Sequence, residues 1–332
     1  MISMHRNARS LNLRPWASYL LGVSAGILLF GVGYLALGTD VAARWGGRAV
    51  LITAKLRGRG KDCPWAVLLR TSDRGDSFGQ RKEELMRQMH QQDIDLGWGI
   101  SKYQMPGRSF WIRTSGTKAD GPELLSYLYA DHQTMTTSPT EHVSAGDTVI
   151  DIGAHVGVFT HLALAAGAAR VVMLEPDPVN VECLKRNFRE EIASGRVILV
   201  PEGAWDAEST LQFHTGVSNS GAGSFVGNQQ GSKTLEARVR PVDSMVAELG
   251  LQRVDMVKID IEGAERYALK GMQGVLRKWK PRLLIDTYHR PDDPQVLPAL
   301  IHEANPGYLS ACQSCDYRPV DGSVEPHVTL YY

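Results

Sequence analysis

Residues 148–157 read TVIDIGAHVG: an apolar strand, a glycine-spaced turn and the start of a helix. Gly146-Asp147 marks a turn before the strand Thr148–Ile152, and from Val156 to Ala169 the residues Phe159, Leu162, Ala163 and Ala166 recur at helical spacing. At such a junction the chain must turn tightly and can let a ligand approach its backbone. Gly153 and Gly157 carry no side chains to block that approach, and the helix start offers unpaired N–H groups. Asp151 stands where a pyrophosphate-binding turn is uncharged. A carboxylate there repels phosphate and can meet an ammonium group. The loop, with Ala154 and His155 at its centre, therefore points to a cationic, phosphate-free ligand.

Working outward, strands and helices alternate. The pattern predicts a strand at Arg170–Leu174, a helix over Val179–Glu191 with Val181, Leu184 and Phe188 on one face, and a strand at Val197–Val200. Thr210–His214 and Leu235–Val239 form an extra pair flanking the Gly/Ser/Asn-rich loop 216–231. Asp243 can cap a short helix to Leu249; strand Met256–Ile259, helix Ala264–Val275, strand Arg282–Asp286 and a helix near Pro294–Glu303 follow. Tyr308–Ala311 and His327–Tyr331 are candidates for an antiparallel edge hairpin. This order implies an α/β domain over 141–332, with a mostly parallel sheet covered on both faces. Residues 62–140 are less regular: a short strand at Ala66–Leu69, a polar helix over Lys82–Gln92 with Leu85 and Met89 on one face, a strand at Ser109–Thr114, a helical turn or two at Glu123–Tyr129 and a polar connection at Thr134–Thr140. They read as a cap or accessory region over the later domain.

Glu175 ends the second strand of that domain, 24 residues after Asp151, with Pro176 and Pro178 holding the turn beyond it. Carboxylates at this place accept hydrogen bonds from both ribose hydroxyls, in NAD and S-adenosylmethionine alike. Trp205 can pack beside an adenine and Asp206 can accept from its amino group, or both can be structural surface residues. DIGAHVG at 151–157, LEPDP at 174–178 and VKIDIEGAE at 257–265 together resemble the FkbM-type family of S-adenosylmethionine-dependent methyltransferases over roughly residues 140–332. The resemblance implies a Rossmann-like class I methyltransferase sheet, S-adenosyl-L-methionine as cofactor, and methyl transfer to a hydroxyl on a small metabolite or sugar-containing intermediate.

An alcohol is a poor nucleophile until a base takes its proton, so an acid or imidazole should stand near the acceptor. Lys258 and Asp260 share a side of the fourth strand by its two-residue period, and Asp260 sits at the ligand-binding edge. His289 follows the fifth strand in DTYHR at the same edge. Asp260 and His289 are the candidate bases. Glu265 reads as a helix-capping acid, and His155 as a residue that orients the loop or ligand. The family often has Glu where this chain has Asp286. No H-x-x-x-H, HExxH or EF-hand spacing occurs, so no metal is expected, with a divalent ion bridging the acids to two acceptor oxygens as the alternative.

The whole chain balances 36 basic against 36 acidic residues, but residues 1–61 hold nine basic side chains and one acid, Asp40. The remainder is therefore acidic, which excludes a basic body wrapped around nucleic acid. No charge occurs over the 25 residues from Pro15 to Thr39. About 20 apolar residues cross a bilayer, so 15–39 reads as one transmembrane helix between a basic leader, 1–14, and a juxtamembrane linker, 40–61. The run exceeds the apolar core of a cleaved signal peptide. Basic residues are more numerous after it than before, which places the catalytic domain on the cytoplasmic side of the membrane. Gly22 with Gly26 offers a weak helix-pairing signal and a possible homo-oligomer. Four cysteines do not make a disulfide-dense scaffold, and the Cys312/Cys315 pair supplies two ligands where a structural zinc needs four, so ordinary thiols are expected. A small-molecule or glycolipid-like acceptor suits a tethered methyltransferase; a catalytically silent nucleoside-binding scaffold and an NAD-dependent oxidoreductase are the alternatives.

Overall fold

The computed structural model describes residues 49–58, 63–105, 107–114, 120–137, 143–227, 230–318 and 323–332. After a helical stretch at 49–56, α1 (Trp65–Gln88) begins behind Pro64, whose carbonyl accepts from the amides of Val67 and Leu68. The strand expected at Ala66–Leu69 is the first turn of this helix; four apolar residues are too few for periodicity to separate the two. Strands β1 (His90–Asp95), β2 (Ile100–Met105) and β3 (Arg108–Arg113) form an antiparallel sheet, followed by α2 (Pro122–Thr137), which takes in most of the expected polar connection. Ile100, Phe110, Ile112 and Leu125 are buried in one cluster with Val156, Val158 and Leu162 of the later domain, and Leu85 and Met89 pack against it as their spacing predicts. A buried Arg113–Asp177 ion pair of 2.7 Å fastens the same face, and the Asn187 side chain bonds both the amide and the carbonyl of Trp111.

The later domain follows the predicted alternation. It contains β4 (Thr148–Ile152), α3 (Val158–Ala165), β5 (Arg170–Leu174), α4 (Pro178–Asn187), α5 (Arg189–Ala193), β6 (Val197–Val200), β7 (Gly203–Ala204), β8 (Ser209–His214), β9 (Thr234–Arg240) and α6 (Val242–Glu248). Then come β10 (Met256–Ile259), α7 (Glu265–Lys270), α8 (Gln273–Trp279), β11 (Arg282–Asp286), α9 (Asp293–Ala304), β12 (Ser310–Arg318) and β13 (Ser323–Tyr331). Two predicted helices are each broken once. Phe188, fully buried with φ −120°, separates α4 from α5, and Gly271 separates α7 from α8 where a Cβ would strike the Trp205 carbonyl. Asp243 caps α8 rather than its own helix, accepting from the amides of Gly274 and Val275 at 2.8 Å each.

The main sheet runs β12-β13-β11-β10-β4-β5-β6, with β11, β10, β4, β5 and β6 parallel and the β12–β13 hairpin antiparallel at one edge. Its central strands are buried on both faces, and the two-residue period sorts their side chains into two cores. Ile150, Ile152, Val172, Leu174, Val257 and Ile259 enter one; Val149, Val171, Met173, Val197 and Met256 enter the other. The predicted pair β8–β9 is antiparallel and joins β7 in a separate small sheet. From β6 the chain returns to place β10 beside β4, so the strand order reverses there and the carboxyl ends of β4 and β10 border a crevice.

Among the described residues no helix is long and apolar enough to cross a membrane; the leader 1–14, the run 15–39 and the Gly22/Gly26 pair lie outside them. The expectation of ordinary thiols near the C-terminal hairpin is corrected. Cys63 forms a disulfide with Cys315 across 252 residues of sequence, with Cα atoms 6.2 Å apart. Cys312 keeps its thiol 3.5 Å from the Cys315 sulfur, because two register shifts around Ser314 turn residues three apart to the same side of the strand.

Gly157 is required for a reason other than ligand access. Its φ is +88°, and a Cβ there would run into the Phe188 ring. Gly157→Ala should destabilise the fold by about 2–4 kcal/mol in urea denaturation, from overpacking and backbone strain together. In a Phe188→Leu background the same substitution should cost less; equal costs in both backgrounds would show that the ring is not the obstacle.

Candidate active site

A cavity of about 380 Å³ opens along the carboxyl ends of the parallel strands. Gly153, Ala154 and His155 line it after β4, Glu175 and Pro176 after β5, and Asp260, Ile261 and Glu262 after β10. Asp286 and Tyr288 line it at the end of β11. The loop 216–231 contributes Asn219, Ser220, Gly221, Gly223 and Phe225, while α2 contributes Asp131 and His132 and β13 contributes His327.

One half is built around Glu175. Its carboxylate accepts from the His155 amide at 2.8 Å, the Asp177 amide at 3.0 Å and the Asn180 side chain at 3.4 Å. Burial, and then the negative charge of Asp177, push its carboxyl up to about 7. His155 has φ +52° and places Nε2 2.7 Å from the Ser220 hydroxyl. Ser220 donates to Asp120 at 2.8 Å, so the imidazole donates to Ser220 from Nε2. Burial, then the charge of Arg113, hold this ring down to about 3 and therefore neutral. His155 thus ties the glycine turn to the loop 216–231, an orienting role.

The ammonium that Asp151 meets is the protein's own. Asp151 is fully buried, accepts from Thr160 Oγ1 at 2.7 Å and faces Lys258 Nζ at 3.7 Å, its register partner on β10. It is not among the residues lining the cavity. Lys258 Nζ also donates to the Gly153 carbonyl at 2.9 Å and lies 3.7 Å from Asp260. Burial opposes the charge on Lys258, but Asp260 and Asp151 outweigh it and raise the ammonium above its ordinary value. Gly153 lines the cavity and is also needed for packing, since a Cβ would strike the Asp260 carbonyl. Trp205 and Asp206 do not reach the cavity. The Trp205 amide bonds to Arg240, and its ring stacks on Tyr267 with centroids 3.9 Å apart; Asp206 is exposed.

The other half gathers Asp260, Glu262, Asp286, Tyr288 and His289. The Glu265 carboxylate is fully buried and accepts from the amides of Ile261 and Gly263 and from His289 Nδ1 at 2.9 Å. It caps the turn, as its position suggests, and also fixes the imidazole. His289 Nε2 lies 3.8 Å from Asp260 and 3.6 Å from Glu262. Burial disfavours charge on His289, but the Glu265 hydrogen bond and the charges of Glu265, Asp260 and Glu262 prevail and raise it to about 10. A ring already protonated at neutral pH is not the free base that the sequence suggests. Burial raises Asp260, but Lys258 and then His289 hold it below the ordinary value. Burial and the neighbouring Asp260 raise Glu262 to about 7 and Asp286 well above the usual carboxylate range. Glu262 has φ +55°, a left-handed conformation that turns the chain sharply beyond β10.

In the sequence Glu262 stands with the acids crowding the end of the fourth strand and Asp286 precedes the His289 segment, but neither pattern marks them as more than a turn acid and a family position. Asp131, His132 and His327 carry no motif, and only the fold brings them to the cavity; Asp120 stands behind it, accepting from the lining residue Ser220.

A methyltransferase FkbM domain profile matches residues 151–319, just over half of the chain. The chain belongs to the FkbM methyltransferase family. Hexuronic acid methyltransferase AglP of Haloferax volcanii is 27% identical over 164 residues, 49% of this chain and 65% of that protein. Methyltransferase sdnD of Sordaria araneosa is 25% identical over 195 residues, covering 47% of this chain and 75% of that one. The match thus spans slightly less than two thirds of the Haloferax protein. The crystal structure of methyltransferase FkbM from Methylobacillus flagellatus aligns with a TM-score of 0.46 and 21% identity, over 65% of this chain and 56% of that chain.

The His289 cation contributes stability that is complete below the unfolded imidazole value of 6.5 and is lost as pH rises through about 10. His289→Gln should therefore lower stability by on the order of a few kcal/mol at pH 6, and the gap to the parent should close towards pH 10. Urea denaturation across that range measures it; a gap independent of pH would mean that the ring is uncharged in the fold.

Proposed function

We propose that this chain is an S-adenosylmethionine-dependent methyltransferase that acts on a hydroxyl of a sugar-containing or lipid-linked acceptor. The observation that carries this reading is the continuity of one cavity between Glu175 and the acids at the ends of β10 and β11. Its volume of about 380 Å³ lies within the range of sites that enclose a small ligand. Bound S-adenosylmethionine would supply a methyl group on a positively charged sulfur. Glu175 is assigned to the ribose hydroxyls, and the backbone of Gly153, Ala154 and His155 and the ring of Pro176 to shaping that half of the cavity. Asp151 acts one step removed, by holding Lys258 and hence the Gly153 carbonyl.

On the acceptor side, Asp260 is ionised between two cations and is assigned to accept a hydrogen bond from the hydroxyl. Glu262 lines the cavity with its side chain 31% exposed, and it is assigned to take the proton. His289 stays charged and positions these two carboxylates. The hexuronic acid methyltransferase among the relatives supports a sugar acceptor, and the uncharged run 15–39 supports membrane attachment of the acceptor's enzyme.

Calorimetric titration with S-adenosylmethionine, S-adenosylhomocysteine and NAD tests the donor: binding of the first two is expected, and binding of NAD alone would overturn the reading. Glu175→Ala should weaken S-adenosylhomocysteine at least tenfold. At saturating donor, Glu262→Gln should lower kcat by about 100-fold while leaving donor affinity within a factor of three. Unchanged kcat would remove Glu262 as the base.

A further inference from the structure

We propose that Asp260, Asp286 and His289 form a site for one divalent cation of the magnesium or manganese class, set at the acceptor end of the cavity. One ligand atom from each of the three lies within 4.8 Å of the other two. An octahedral ion of this class, with bonds of about 2.1 Å, draws its ligand atoms to about 3–4 Å from one another, so small side-chain movements close the shell. Asp260 Oδ1 is already 3.8 Å from His289 Nε2.

The imidazole supplies an observation independent of the acids. The His289 side chain is only 6% exposed, yet Nε2 makes no hydrogen bond. Its other nitrogen is fixed at 2.9 Å by Glu265, whose carboxylate is itself anchored by the Ile261 and Gly263 amides. A carboxylate that grips Nδ1 and leaves Nε2 pointing at two acids is the arrangement that orients a metal-ligating imidazole. A divalent ion would take the place of the proton on Nε2, and its own charge would replace that of the imidazolium which positions Asp260 and Glu262 in the ion-free chain.

The donor set chooses the ion. Two carboxylates and one imidazole, with no thiolate, favour hard cations that tolerate a nitrogen ligand. Three protein ligands leave positions open, and Asp260 and Asp286 both line the cavity. Those positions suit two neighbouring oxygens of one acceptor, as in a vicinal diol or a sugar acid. This acceptor class rests on the methyltransferase reading; the cation site does not. The ligands are missed in sequence because they are 26 and 3 residues apart on two strand ends, outside any local metal spacing.

Manganese is the appropriate probe, because the Cys63, Cys312 and Cys315 sulfurs, once the disulfide is reduced, form a second cluster that softer ions would prefer. The full-length chain, stripped with chelator, is titrated with manganese chloride alone and the free ion is followed by electron paramagnetic resonance. One ion per chain is expected, with affinity reduced at least tenfold in both Asp286→Asn and His289→Gln and unchanged in Cys312→Ser. Circular dichroism confirms that each variant is folded, and agreement of the two independent substitutions guards against one that is not. No binding to the parent chain, or equal binding to the parent and both folded variants, would overturn the site. S-adenosylhomocysteine binding, measured separately on the stripped chain, reports on the donor reading without the ion, so the two can fail independently.

Discussion

The buried ammonium of Lys258 is the interaction on which the site depends. It is drawn from β10 towards Asp151 of the neighbouring strand, the Gly153 carbonyl and Asp260. Charge in a protein interior persists only where opposite charges and hydrogen-bond acceptors surround it. The same nitrogen thus fixes the glycine turn on one side and the first acid of the opposite half on the other. A shift of either strand end would leave an ion uncompensated.

Around that junction, small residues do two tasks at once. Gly153 faces the cavity and also abuts the Asp260 carbonyl, so its missing Cβ brings β4 and β10 to close approach. Gly157 faces Phe188, which breaks the helix between α4 and α5 and seats the antiparallel cover of β1–β3 nearby through Asn187. The turn that looks in sequence like a ligand-binding loop is therefore half a packing device. Its conformation is set by neighbours from 30 to more than 100 residues away.

The parallel sheet was legible because its strands are short, apolar and separated by helices with clear spacing. The Glu175 half of the cavity was legible for the same reason: its residues sit on the turns after β4 and β5. What escaped was set by tertiary contact. Trp205 and Asp206 leave the cavity because the chain turns to pair β7 with β9, and the expected base His289 is charged because Glu265, a fully buried acid, reaches it across the turn. The first turn of helix α1 was hidden as a strand because its opening apolar residues are too few to show a period, whereas its last turns were legible as the polar helix from Lys82, which ends at Gln88 before β1. Asp131 and His132 entered from α2, whose sequence carries no pattern beyond a helix.

The covalent link between Cys63 and Cys315 makes the protein sensitive to the redox poise of the compartment in which its domain sits. In oxidising surroundings the stretch from residue 49 onward is cinched to the C-terminal hairpin. In a glutathione-rich cytosol the same three cysteines would face one another as sulfhydryls. The stretch would then rest on a small apolar cluster of Ala54, Leu68 and Val324. The thiol–disulfide balance of the surroundings would thus decide how firmly the N-terminal approach is fastened to the body.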